Sequence, residues 1–123
     1  MMFKICRRCG NLVSVLKDSS VPMMCCGQEM ETLKPNTTDA AGEKHVPVVA
    51  AADGKVTVKV GSVTHPMLPE HFIQWIALET DKGTMMKYLK PGDVPEAEFL
   101  LGDQEPVAAY ELCNLHGLWK TKI

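Results

Sequence analysis

Cysteine placement is the feature that most restricts how this chain can fold. Five cysteines occur in 123 residues, and four of them lie within the first 26 positions, as Cys6-x-x-Cys9 and the adjacent pair Cys25-Cys26. The segment up to about residue 34 is rich in turn signals, and so short a unit needs a metal, a disulfide or a partner to stay folded. An odd cysteine count without a secretion signal argues against disulfides. We therefore expect a metal to hold this segment together.

The four amino-terminal cysteines form the first candidate metal site, with Cys6, Cys9, Cys25 and Cys26 as ligands. A Cys-x-x-Cys knuckle followed by Gly10 turns two sulfurs toward one ion, and a tetrahedron of thiolates suits zinc or iron. Two adjacent cysteines must turn neighbouring side chains onto the same ion, so the sequence predicts an irregular site. A structural zinc ribbon and unligated thiols are the alternatives at this point.

The remaining potential ligands form a second candidate site of four histidines and one cysteine. They are His45, His65, His71, His116 and Cys113. A structural zinc site closes at four ligands, so five candidates mean either that one is a bystander or that the metal accepts a higher coordination number, as iron does. Four imidazoles can occupy one plane with the thiolate on the axis, which leaves the opposite position open to a reactant.

The rest of the sequence predicts an all-β fold. The polar stretch 35–42 has nothing to bury and is typical of a linker or mobile loop. After it, short apolar runs alternate with turn signals such as Asp53-Gly54, which is typical of an antiparallel β-sandwich of the immunoglobulin type. The apolar residues of 72–78 also fit one face of a helix, but their aromatic and β-branched content favours a strand. The predicted strands are 46–49, 56–60, 72–80, 84–89, 97–101, 106–112 and 118–122.

Charge and hydropathy narrow the functional classes. Lys and Arg number 13 against 15 Asp and Glu, and the net charge of -2 gives little electrostatic basis for binding nucleic acid or an anionic membrane surface. No stretch approaches the roughly 20 apolar residues that span a bilayer, and the amino terminus lacks an apolar signal region. We expect a cytoplasmic protein with neither nucleic acid nor membrane as a partner.

A set of short motifs extends over nearly the whole chain. The motifs are Cys-x-x-Cys, Cys-Cys, Glu43-Lys44-His45-Val46-Pro47-Val48, His65-Pro66-Met67, His71 and Cys113-Asn114-Leu115-His116-Gly117-Leu118-Trp119. Taken together, these motifs resemble the desulfoferrodoxin family of two-iron superoxide reductases. The resemblance implies a small desulforedoxin-like or rubredoxin-like domain at residues 1–36 with an FeS4 centre. It further implies an immunoglobulin-like domain at residues 37–123 that holds a non-haem iron with four equatorial histidines and an axial cysteine.

The resemblance also implies an activity and partners. Members of the family reduce superoxide to hydrogen peroxide with one electron and two protons, without dismutation, and rubredoxin is their usual electron donor. A homodimer is expected on the same ground. The alternatives that remain are a rubredoxin-like electron carrier and a zinc-stabilised binding module.

Glu43 and Lys44 are the two catalytic residues that the resemblance implies. The glutamate would cap the open iron position in the oxidised state, and the lysine would attract superoxide and help to deliver protons. The pair follows Ala40-Ala41-Gly42, which lacks packing residues and predicts a mobile segment. Without the resemblance, a solvated charge pair of no consequence is the simpler interpretation.

Overall fold

The structure, a computed structural model, describes all residues from Met1 to Ile123, and they form two compact units. The first unit spans Met1–Lys34 and the second spans Pro35–Ile123. Both consist almost entirely of strands and turns, and the only helix is a single turn. The predicted all-β fold class is therefore confirmed. The structure contains no helix that is long and apolar enough to cross a membrane.

The first unit is built from five short strands: β1 (Met2–Ile5), β2 (Leu12–Val15), β3 (Met24–Cys25), β4 (Gln28–Glu29) and β5 (Glu31–Thr32). Strand β1 is the centre of a three-stranded antiparallel sheet, β2-β1-β5, and β3 and β4 form a small hairpin. Only Phe3, Cys6 and Met30 are buried apolar side chains in this unit. So small a core does not offset the entropy of ordering the chain, which agrees with the expectation that a metal stabilises it.

The second unit consists of one helical turn and seven strands: α1 (Gly42–His45), β6 (Pro47–Ala52), β7 (Lys55–Val60), β8 (Ile73–Thr80), β9 (Thr84–Tyr88), β10 (Glu96–Leu100), β11 (Pro106–Cys113) and β12 (Gly117–Lys122). The strands form two antiparallel sheets, β10-β7-β6 and β12-β11-β8-β9, which is the predicted immunoglobulin-like sandwich. Asp53 and Gly54 both have positive φ, 54° and 72°, and form the predicted two-residue hairpin turn between β6 and β7.

The core of the sandwich lies between the two sheets. On β7, three buried valines alternate with more exposed residues, as expected for a strand with one face in the core. Six of the eight residues of β8 are buried, so this strand lacks a solvent-facing side. That burial explains why its apolar pattern also fitted a helix. Cys113 belongs to the same buried cluster, which places one candidate ligand inside the core.

The polar stretch 35–42 contains no strand, in keeping with a loop, and it belongs to the second unit. Asn36 is attached to β12, because its backbone N–H donates to the carbonyl of Leu118 over 3.0 Å. Its side-chain amide accepts from the backbone N–H of Lys120 at 2.8 Å and donates to the Lys120 carbonyl at 3.0 Å. The stretch ends in α1, a turn that the sequence analysis did not predict.

Candidate metal centres

The first candidate centre lies in the first unit, where the four predicted cysteines come together. Their Sγ atoms all lie within 4.8 Å of one another. Cys9 Sγ is 3.6 Å from Cys25 Sγ, and Cys25 Sγ is 4.0 Å from Cys26 Sγ. None of these sulfurs forms a disulfide. Four thiols at such separations surround a space that suits a single soft cation.

The backbone around Cys26 explains how two adjacent cysteines serve one site. Successive side chains of an extended strand point to opposite faces, so Cys25 and Cys26 would diverge if the strand continued. Cys26 instead has a φ of 52° and Gly27 a φ of 72°, so the chain reverses directly after β3. This reversal lets both sulfurs face Cys9.

The electrostatics of the first centre favour a bound cation. Hydrogen bonding to the backbone amide of Cys9 lowers the pKa of Cys6 to about 7. Hydrogen bonding with the side chains of Cys9 and Cys6 raises the pKa of Cys26 to about 12. The pKa of Cys25 is raised as well, so Cys25 and Cys26 resist ionising beside Cys6, and a cation among the sulfurs removes the repulsion between thiolates. The donor set fits a metal held by four sulfurs.

The second candidate centre collects side chains from four separate parts of the second unit. His45 ends α1, whereas His65 and His71 lie between β7 and β8. Cys113 is the last residue of β11, and His116 lies in the turn before β12. The structure thus brings together all five residues that the sequence analysis assigned to this site.

The four imidazole rings form a closed ring of neighbours. His45 and His71 face each other across it, with their centroids 6.3 Å apart and an interplanar angle of 29°. Each of these two rings stands nearly perpendicular to His65 and to His116, with centroid distances between 4.6 and 5.0 Å. Such an arrangement presents one nitrogen from each ring toward a common centre.

The distances between ring nitrogens fit a single ion. His45 Nε2 lies 3.2 Å from His65 Nε2 and 3.1 Å from His116 Nδ1. Two nitrogens at right angles around a first-row metal, each at about 2.1 Å, would lie about 3 Å apart. Cys113 Sγ lies 3.5 Å from His65 Nε2 and 3.9 Å from His116 Nδ1. The sulfur is therefore near the ring of nitrogens without being part of it.

Hydrogen bonds on the far side of two rings fix which nitrogen faces the centre. His45 Nδ1 is 2.7 Å from the carbonyl oxygen of Ala41, and His65 Nδ1 is 2.6 Å from that of Pro66. A carbonyl only accepts, so each Nδ1 carries the proton and each Nε2 offers a lone pair inward. Burial lowers the pKa of His65 to about 4, so this imidazole is neutral at pH 7 and ready to bind a metal.

His71 and Cys113 give two further signs of a metal site. His71 Nε2 is buried and has no hydrogen-bond partner, which is costly for a polar atom unless a ligand satisfies it. Burial raises the pKa of the Cys113 thiol, while hydrogen bonds from the backbone N–H groups of His116 and Leu115 oppose that rise. A cation at the centre would satisfy the nitrogen and favour the thiolate.

Trp119 is a neighbour of this centre. Its ring stacks on His45 with centroids 4.9 Å apart and an interplanar angle of 26°, and its Nε1 donates to the carbonyl of His116 over 3.1 Å. The side chain is buried. It therefore covers one imidazole and holds the turn that carries another, in keeping with its interpretation from the sequence as core or as a shield.

Glu43 and Lys44 lie in α1, directly before His45. The charge of Lys44 is among the causes that lower the pKa values of His45 and His71. Hydrogen bonds from the backbone N–H of Val63 and the hydroxyl of Ser62 to the carbonyl of Glu43 hold this turn. The residues that anchor it, Ser62 and Val63, were missed by the sequence analysis, because no local signal links them to α1.

The comparisons with known proteins agree on one group. The sequence profile named Desulfoferrodoxin matches residues 37–122. The desulfoferrodoxin of Desulfarculus baarsii is 49% identical over 117 residues, which cover 95% of this chain and 92% of that protein. The crystal structure of the superoxide reductase from Treponema pallidum superposes with a TM-score of 0.81 and 40% identity over 98% of each chain. The superoxide reductase (1Fe-SOR) from Giardia intestinalis gives a TM-score of 0.58 and 31% identity, covering 66% of this chain and 97% of its own.

Proposed function

This chain belongs to the desulfoferrodoxin family, and from that premise we propose that it is a superoxide reductase. It reduces superoxide to hydrogen peroxide with one electron and two protons and without dismutation. The resemblance recognised in the sequence motifs is confirmed, and the two side-chain clusters match the two iron sites of this family. The cofactors are therefore two iron ions per chain.

The single observation that carries the proposal is the ring of four imidazoles beside the buried thiol of Cys113. His45, His65, His71 and His116 would hold the iron through one nitrogen each, and Cys113 would bind it from the core side. An iron ion there supplies one-electron chemistry, and a thiolate ligand increases its electron density. Five protein ligands leave room for one small reactant.

Two charged residues of the chain act on the substrate. Superoxide is a monoanion and the protein carries a net charge of -2, so the ammonium of Lys44, the residue directly before His45, favours the encounter. Lys44 Nζ is also the proposed source of a proton for the peroxide product. Glu43, one residue earlier on the same turn, is the proposed carboxylate that closes the open position in the oxidised protein.

The first centre is proposed as an electron-transfer site. Cys6, Cys9, Cys25 and Cys26 would hold the FeS4 iron in domain 1–36, while domain 37–123 carries the reaction. Asn11 supports the thiolates, because its backbone N–H lies 3.5 Å from Cys9 Sγ and its Nδ2 lies 3.7 Å from Cys25 Sγ. We further propose a rubredoxin-type donor, a homodimer and a cytoplasmic location.

The two alternatives account for less of the structure. A rubredoxin-like carrier needs only the four sulfurs of the first unit and leaves the second cluster without a role. In a zinc-stabilised binding module each zinc ion takes four ligands, so one of the five side chains that converge at the second centre would remain unused. The carrier alternative also leaves the buried Nε2 of His71 without a partner, whereas a metal ion in the second centre would satisfy it.

A rapid-mixing experiment tests the proposal. Chemically reduced, iron-loaded protein is mixed with superoxide without oxygen, and the absorption of each centre is followed. We expect the second centre to be oxidised in a bimolecular step, whereas protein with zinc in place of iron does not react. Elemental analysis accompanies the kinetics: one iron per chain would favour the electron carrier, and zinc alone would favour the binding module.

A further inference from the structure

One side chain holds the backbone on both sides of His71. Asn114 Oδ1 accepts a hydrogen bond from the N–H of Phe72 over 2.8 Å, and Asn114 Nδ2 donates to the carbonyl of Glu70 over 3.0 Å. The backbone N–H of Asn114 also donates to the carbonyl of Phe72 over 3.1 Å. Three hydrogen bonds thus join one residue to the two neighbours of His71.

Asn114 lies next to two candidate metal ligands in the sequence. Asn114 directly follows Cys113 and lies two residues before His116, so it belongs to the segment that carries two candidate ligands. His71 belongs to a separate loop, between β7 and β8. The amide of Asn114 therefore connects the loop of one ligand to the loop of two others.

His71 has more need of such a connection than two of the other histidines. The rings of His45 and His65 are each fixed by a hydrogen bond from Nδ1 to a backbone carbonyl. The ring of His71 makes no such bond, although its loop is closed by the reciprocal backbone pair with Leu68. The place of this imidazole is therefore set through its backbone.

We propose that Asn114 is a positioning residue that fixes His71 relative to Cys113 and His116, and thereby completes the second metal centre. The proposal rests on the proposed function only in assuming that this centre binds a metal ion. Partners that orient metal ligands are worth about 10–100-fold in metal affinity when they are removed. Asn114 touches no ligand ring and acts through the backbone alone.

The chemistry of the amide group provides a sharp substitution. Asn114→Asp keeps the shape and the acceptor for Phe72, but it replaces the Nδ2 donor by an oxygen that faces the carbonyl of Glu70. Two acceptors at hydrogen-bond distance repel each other, so the loop of His71 must move away. Asn114→Ala removes both side-chain bonds without adding repulsion, and it should have an intermediate effect.

The chain offers a matched control in Asn36. Its side-chain amide makes the same pair of bonds to the backbone of Lys120, at 2.8 and 3.0 Å, and Lys120 is not a candidate ligand. Asn36→Asp therefore creates the same repulsion between an oxygen and a carbonyl at another place in the second unit. If the Asn→Asp exchange acts only by weakening the fold, iron release should be accelerated equally in Asn114→Asp and Asn36→Asp.

The experiment measures iron release from the second centre of the full, iron-loaded chain. An excess of a chelator is added, and the thiolate-to-iron absorption band is followed with time. We expect iron release to be at least about 10-fold faster in Asn114→Asp than in the parent protein. The increase should be smaller in Asn114→Ala, and the rate in Asn36→Asp should lie within about 2-fold of the parent rate. The energy of the band before release should shift in the Asn114 variants alone.

Two results would overturn the proposal. One is release from Asn114→Asp at the parent rate with an unshifted band, and the other is equal acceleration in Asn114→Asp and Asn36→Asp. If Asn114→Asp does not fold, the comparison of Asn114→Ala with Asn36→Ala decides in the same way. Because iron release is measured without superoxide, a chain that binds iron but does not reduce superoxide would refute the proposed function and still test this inference.

Discussion

Val63 donates its backbone N–H to the carbonyl oxygen of Glu43 over 2.8 Å. The hydroxyl of Ser62 donates to the same oxygen over 3.2 Å. The turn that leads to His65 therefore holds the turn that carries Glu43 and Lys44. A Cβ atom on Gly61 would lie 2.7 Å from the Glu43 oxygen and 3.0 Å from the carbonyl carbon of Lys44, so only glycine fits this contact.

Gly61→Ala should displace Glu43 and Lys44 from the second centre. The added methyl group meets backbone atoms of α1, which cannot rotate away as a side chain can. We expect a slower reaction with superoxide and an altered spectrum of the oxidised centre, both measured by stopped-flow absorption. Gly83→Ala is the matched control, since its Cβ would meet no atom within 4 Å. Parent kinetics in Gly61→Ala would show that this contact does not position the pair.

Lys44→Ala should slow the bimolecular reaction and weaken its dependence on ionic strength. Screening acts on charges that steer the substrate, over about 8–10 Å at ordinary salt. Lys17→Ala is the control, because both variants change the net charge from -2 to -3 but Lys17 is an exposed residue of the first unit. Stopped-flow rates at several salt concentrations measure the slope. If the rates of the two variants depend equally on ionic strength, Lys44 is a solvated charge without a role in attracting superoxide.

The two centres should be separable by single substitutions. Cys9→Ser removes one ligand of the first centre, so we expect loss of its absorption with the second iron and superoxide reduction retained. Cys113→Ser should do the reverse, because a hydroxyl binds iron less well than a thiolate. Iron content and visible spectra of both variants provide the measurement, and loss of both irons in Cys9→Ser would contradict the separation.

Glu111 should make folding depend on pH. Its carboxylate oxygens are buried without a hydrogen-bond partner, and burial raises its pKa from 4.5 to about 9. The folded chain therefore keeps a proton that the unfolded chain releases, and the free energy of unfolding falls as the pH rises between these values. The loss is at most about 1.4 kcal/mol per pH unit. Glu111→Gln, followed by denaturant unfolding at pH 5 to 8, should remove this slope, and parallel pH profiles would contradict it.

Local patterns carried most of the fold prediction. Each of the seven predicted strands in the second unit overlaps a strand of the structure, because alternation, β-branched residues and turn signals such as Asp53-Gly54 are local properties. The one-turn helix α1 was not predictable, since a single turn does not form by its own propensity. Contacts with Gly61 and Val63, nearly 20 residues away, hold it in place.

The candidate site was predictable in its residue types and not in its geometry. The sequence shows four histidines and one leftover cysteine, which is enough to propose a second metal. It does not show that His45 faces His71 across the ring, or that Asn114 links two loops, because these relations depend on how the sheets pack. The hydrogen bonds to the carbonyl of Glu43 were not predictable for the same reason, and the mobility of Glu43 and Lys44 stays a prediction.

The measurement that tests the central claim most directly is the yield of hydrogen peroxide per superoxide consumed. Iron-loaded protein is supplied with a one-electron donor and a steady source of superoxide, and peroxide, oxygen and oxidised donor are quantified together. A superoxide reductase gives one peroxide and one oxidised donor for each superoxide, and no oxygen from superoxide. One peroxide for every two superoxides, with oxygen evolved and the donor unused, would be dismutation and would contradict the proposed function.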